Sequence, residues 1–134
     1  MKPLSMKQFV RIVAEVMENL PPEFEEYLDN VVVDVEEEPD ERTLRRAGLT
    51  EEEIAAGETI LGLFDPLELS SMYAGDVIDT SNMLHRLLIF KRPHEEEFED
   101  RDELIKQIRK TVIHELAHHF GYTDDDLERW TTVF

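Results

Sequence analysis

Cysteine is absent from this sequence. Its absence excludes a disulfide framework, a thiolate metal site and a cysteine nucleophile. Any transition-metal site must be built from imidazole and carboxylate, a donor set that favours zinc and its borderline neighbours. Long apolar runs are missing too: none approaches the roughly 18–20 residues that a membrane-spanning helix requires. The stretch MKPLSMKQFVRIV turns amphipathic where a signal peptide would stay uniformly apolar. Together these absences lead to the expectation of a cytoplasmic protein with no membrane partner. Positive charge is scarce, with 14 Lys and Arg against 32 Asp and Glu and a formal charge of −18. Binding a phosphate backbone or an anionic membrane relies on Lys and Arg, so no nucleic-acid partner is expected. Solubility is the simplest use of the acidity, ahead of a specific basic partner.

What remains suits one domain. A chain of 134 residues with 41% hydrophobic residues supports a single modest core, expected over residues 1–134. Ser5 opens a capping-box pattern, and Phe9, Ile12, Val13, Val16 and Leu20 follow at helical spacing. Pro21 and Pro22 end that helix. The segment PEFEEYLDN reads as a second, short helix, and the β-branched VVVDVEE as a first strand. A polar stretch, EEPDERTLRRAGLTEEE, reads as a loop with one helical turn at RTLRRAG. The segment ETILGLFDP predicts a second strand, LELSSMYAGDVIDTSNM a loop, and HRLLIFKRP a third strand at an exposed edge, ended by two basic residues and Pro93. Asp100 and Glu103 then open a long helix over about 101–120, which Gly121 ends, before a last short helix DDLERW. The order of elements predicts an α+β fold.

Within the long helix, Ile105, Ile108, Val112, Leu116 and Phe120 fall on one side at 100° per residue, and His119 falls with them. That position gives His119 a packing role or a supporting role behind the metal site. His114 and His118 share the opposite side one turn apart, with Gln107 and Thr111 nearby. The string HELAHHFGYTDD is therefore an H-E-x-x-H arrangement on one helix face, where two imidazoles supply neutral ligands about 2.0–2.1 Å from a zinc ion. Glu115 sits one position round from the first ligand, able to take a proton from water activated at the metal and return it to a leaving amine. Gly121 permits a sharp reversal after the helix. Asp124, three residues later, then meets the metal as third ligand, with Asp125 and Asp126 as competitors. Asp126 also suits capping of the last helix, begun by Thr123 or Asp124.

Over about residues 86–128, from RLLIFKRP through the acidic segment to LIKQIRKTVIHELAHHFGYTDDDLE, the chain resembles a small bacterial zincin-like family whose members are called zinc metallopeptidases on the strength of this motif. The resemblance implies a minimal zincin fold, a small twisted sheet of about three or four strands backed by helices. It also implies His114, His118 and Asp124 as ligands of one zinc ion per chain, and Glu115 as general base. In zincins a peptide substrate pairs with an edge strand above the metal. HRLLIFKRP is the candidate strand, and Lys91 and Arg92 would favour acidic substrates. Unlike the larger metzincins, the chain has Asp124 where they place a histidine, and no methionine follows Met83. Tyr122 and Tyr73 are candidates for stabilising an oxyanion.

Three functions compete. The first is a zinc-dependent metallopeptidase acting on a specific peptide or protein, alone or with a partner that presents it. The second is a non-catalytic metal-binding module whose acidic surface engages a protein. The third is a metal-dependent endoribonuclease resembling that of ribosomal RNA maturation. That enzyme's helix lacks a glutamate after the first histidine and needs a basic surface, so Glu115 and the charge of −18 both weigh against it.

Overall fold

The computed structural model describes residues 3–66 and 85–121, and beyond them 123, 125, 126 and 128. The order is α1 (Met6–Glu18), a 3-10 turn (Pro22–Phe24) continuing into α2 (Glu25–Leu28), β1 (Val31–Glu36), α3 (Glu41–Arg46), α4 (Glu51–Ala55), β2 (Gly62–Pro66), β3 (His85–Phe90), α5 (Lys91–Glu97) and α6 (Arg101–Phe120). This is the expected α+β arrangement. The predicted loop LELSSMYAGDVIDTSNM lies outside the described residues.

Local chemistry starts and stops these helices. Ser5 accepts from the Gln8 N–H while the Gln8 side chain accepts from the Ser5 N–H, a complete capping box for α1. Asp100 caps α6 by accepting from the Glu103 N–H. At the far end Gly121 adopts φ 80°, a left-handed conformation that glycine takes without penalty. Helix α4 begins inside the predicted loop and runs past its end. Its TEEE start is itself a capping box of Thr50 and Glu53, and with only Ile54 partly buried among its apolar residues it has too little apolar periodicity to announce itself.

Among the described residues the sheet has three strands in the order β1-β3-β2. β1 pairs with β3 in parallel, with Val31 opposite His85 and Glu36 opposite Phe90. β2 pairs with β3 antiparallel, with Gly62 opposite Ile89 and Pro66 opposite His85. β3 is therefore the central strand, not the exposed edge that its basic end and Pro93 suggested. Leu87, Leu88, Ile89 and Phe90 are all buried, the continuous apolar run of a strand covered on both faces. Lys91, Arg92 and Pro93 do not end the strand at a solvated edge; they form the first turn of α5, where a missing proline N–H costs nothing.

Both basic residues are paired with carboxylates. Lys91 is buried and pairs with Glu95 at 2.6 Å and with Glu37 at 3.7 Å, while Arg92 pairs with Glu38 at 3.3 Å. Glu95 also accepts from the Leu4 N–H, so this buried pair ties the start of the chain to α5.

The core lies between the sheet and the α1–α6 layer. Phe9, Ile12, Val13 and Val16 of α1 and Phe24 meet Leu87 and Ile89 of β3 and the inner face of α6. On α6, Ile108, Val112 and Leu116 are buried as the periodicity predicts, and Ile105 and Phe120 are partly buried. Leu104, Ile113 and Ala117 are buried as well, because α6 packs against α1 on one flank and β2 and β3 on the other.

One glycine sets how closely β2 approaches α6. A Cβ on Gly62 would stand 2.7 Å from Thr111 Cγ2 and 3.0 Å from the Leu88 carbonyl oxygen. The strand can lie against the helix only because that position has no side chain.

Candidate metal centre

The last three turns of α6 carry the chemistry. His114 and His118 are both exposed, on the face turned from the core, with ring centres 6.1 Å apart. Two imidazoles sharing a zinc ion at about 2.0–2.1 Å have ring centres roughly 5–6 Å apart, so this pair fits one ion with a small side-chain adjustment. Two neutral nitrogen donors, in a chain without thiolates, suit the same borderline metals.

Glu115 takes a different environment. It is half-buried, and its Oε2 accepts a hydrogen bond from the backbone N–H of Phe64 at 3.1 Å. Burial pushes its carboxyl up from the usual range, against the opposing effects of the Phe64 N–H and the nearby His118. A glutamate held in this way keeps a higher proton affinity than a solvated one while staying beside the two imidazoles.

The Phe64 N–H is free to reach Glu115 because of the strand pairing. The Phe90 N–H donates to the Leu61 carbonyl, and bonded pairs alternate along an antiparallel ladder. Leu61, Leu63 and Asp65 therefore turn their peptide groups toward β3, and Gly62 and Phe64 turn theirs to the opposite edge, where no other described strand pairs. Among the described residues the edge strand beside the motif is β2, and HRLLIFKRP, the sequence candidate for that role, lies between β1 and β2.

His119, predicted on the packing side, is stacked on the Phe64 ring at 3.9 Å between centres and 23° between planes, yet remains exposed. Its position follows from α6 ending at the rim of the sheet. His85, the first residue of β3, lies 4.7 Å from it between ring centres. Burial, reinforced by the His85 charge, pushes the His119 imidazole down.

Of the carboxylates after Gly121, Asp126 is engaged: it accepts from the Thr123 hydroxyl at 2.9 Å and from the Thr123 N–H at 3.1 Å, and its own N–H donates to Thr123 Oγ1. This is the capping role the sequence suggested, with Thr123 beginning the helix. Asp125 is in helical conformation. Asp124, Tyr122 and Tyr73 lie outside the described residues. Among the described residues no third histidine or carboxylate completes a metal cluster with His114 and His118.

A cleft of about 400 Å³ opens beside the motif, lined by Ile60, Leu61 and Gly62 on the β2 side and by Gln107, Lys110, Thr111, His114 and Glu115 on the α6 side. Sequence reading had placed Gln107 and Thr111 near the histidines but missed the strand-side wall. The isolated glycine of ILGLFDP was the available signal, since a glycine inside a strand marks a close approach of backbone.

The family model for zincin-like metallopeptidases matches residues 28–132. The chain belongs to this zincin-like family. Among solved structures it is similar to a conserved hypothetical protein from Thermo thermophilus, at 20% identity and a TM-score of 0.51, over 87% of this chain and 94% of that one. At that identity the likeness shows a shared fold. No curated protein matches the sequence. No helix among the described residues of this zincin-like chain is long and apolar enough to cross a membrane.

Proposed function

We propose that the chain is a zinc-dependent hydrolase that cleaves a peptide bond in a specific peptide or protein, with His114, His118 and Asp124 holding one zinc ion and Glu115 serving as general base. The observation that carries this reading is the placement of Glu115, half-buried between the two imidazoles and the free edge of β2. A zinc ion in such a site supplies Lewis acidity that brings the pKa of water toward neutrality.

The chain's own groups supply the rest. Glu115, its carboxyl raised by burial, accepts the proton of the attacking water and delivers it to the leaving nitrogen. The Phe64 N–H holds the carboxylate in place for both transfers. The outward peptide groups of Gly62 and the Phe64 carbonyl offer an extended substrate a strand to pair with, the Phe64 N–H being engaged by Glu115, which gives β2 the docking role first assigned to β3. Asp124 follows Gly121, whose left-handed conformation permits the sharp turn that this ligand role requires.

Metal content of the wild type and of His118→Ala, measured by elemental analysis after zinc is supplied at neutral pH, tests the site. The expected result is about one zinc per chain, lost in the variant. No zinc in the wild type would end the hydrolase reading. Glu115→Gln should keep the metal and lose cleavage of a peptide library by about 10²-fold or more; cleavage at the wild-type rate would remove Glu115 from the chemistry.

A further inference from the structure

The cleft beside Glu115 bears on what the hydrolase reading leaves open, the residue that the site selects. A peptide pairing antiparallel with the free edge of β2 runs against that strand, so it passes Phe64 and Glu115 first and Gly62 afterwards. The part of the peptide C-terminal to the scissile bond therefore enters the cleft lined by Gly62, Gln107, Lys110 and Thr111. Lys110 lies one turn before His114 on the same helix face, about 6 Å along the helix axis, and its side chain leans toward the helix N-terminus.

Its place is the distinguishing feature. In a chain of net −18, several described Lys and Arg side chains stand outside the ion pairs, and Lys110 is the one of them that lines the cleft at the motif. The Gln107 amide stands one turn further along the same wall.

Resting on the hydrolase reading above, we infer that Lys110 selects a carboxylate on the substrate just C-terminal to the scissile bond. Two sources share that chemistry: an acidic side chain, or the terminal carboxylate of a peptide ending there. The preference is local. Elsewhere the protein's own field repels acidic segments, so an acid is favoured at this position and disfavoured along the rest of the peptide.

The test uses zinc-loaded full chain and succinyl-type peptide hydroxamates, which anchor at zinc and present one side chain immediately beyond it. Calorimetric titration compares C-terminally amidated compounds carrying Glu, Gln or Leu with a Leu compound ending in a free carboxylate, and acetohydroxamate reports the bare metal site. The Glu compound, the free-carboxylate compound or both should bind about tenfold tighter than the neutral ones. Lys110→Gln should abolish the preference and Lys110→Glu should reverse it, with acetohydroxamate binding and zinc content unchanged in both. Equal affinities for acidic and neutral compounds in the wild type, or a preference that survives Lys110→Gln, would overturn the inference and leave the hydrolase reading standing. Failure of acetohydroxamate to bind the wild type would overturn both.

Discussion

Two buried ionisable residues make the stability of the fold depend on pH. His94 is fully buried; its Nδ1 donates to the Phe90 carbonyl at 2.7 Å, and its Nε2 meets the Thr111 hydroxyl at 3.0 Å. Burial pushes this imidazole down, outweighing the Phe90 bond, so the folded state holds it neutral. A histidine with a lowered folded pKa contributes stability that is complete above about pH 6.5 and is withdrawn as pH falls below that value. Asp65 behaves alike at lower pH. Burial alone would raise its carboxyl, but hydrogen bonds and charge from Arg46 and Arg86 hold it below the usual range. Its contribution is present above about pH 4 and is lost as pH falls through the lowered folded value. Urea unfolding from pH 8 to 3 should show a decline beginning near pH 6.5, weakened in His94→Gln, and a second below about pH 4, reduced in Asp65→Asn. That second variant should cost about 1–3 kcal/mol at neutral pH by leaving two arginines without their shared acceptor. A stability profile flat from pH 8 to 4 would contradict the assignment of His94.

At the scale of elements, the site depends on a strand lying close to a helix. Gly62→Ala places a Cβ against Thr111 Cγ2 and the Leu88 carbonyl, so β2 must shift off α6. The expected cost is about 1–3 kcal/mol, together with a loosened Phe64–Glu115 hydrogen bond. Thermal unfolding checks the first effect and the amide hydrogen-exchange rate of Phe64 the second; unchanged values for both would show that β2 has slack. The helices were largely legible in the sequence because their signals are local. Ser5, Asp100 and Gly121 mark their ends, and the apolar spacing of Phe9 to Val16 and of Ile108 to Leu116 marks their inner faces. His114, Glu115 and His118 were legible for the same reason, since three residues within two turns need no tertiary knowledge to share a region. The order of the strands was not. Lys91, Arg92 and Pro93 carry the chemistry of an edge, and only the fold reveals that they open a helix whose lysine is neutralised by Glu95. The Phe64 N–H at Glu115 was equally hidden, because a backbone group has no letter in the sequence.

For the whole molecule, the sheet topology decides when a sheet can exist at all. Among the described strands β1 and β2 do not touch each other; each is bonded to β3, which comes last of the three along the chain. During synthesis the ribosome therefore releases two strands before the strand that joins them. A nascent chain that stops short of His85 owns both edges of the sheet and lacks its middle. It must keep β1 and β2 from pairing with other chains, a task for which the dense negative charge around them is suited. A fragment of residues 1–84 should accordingly stay soluble while remaining open to proteolysis throughout, and a protease-resistant fragment would show that the first half folds without its centre. The H-E-x-x-H motif, encoded later still, becomes complete only after the sheet it rests on can close.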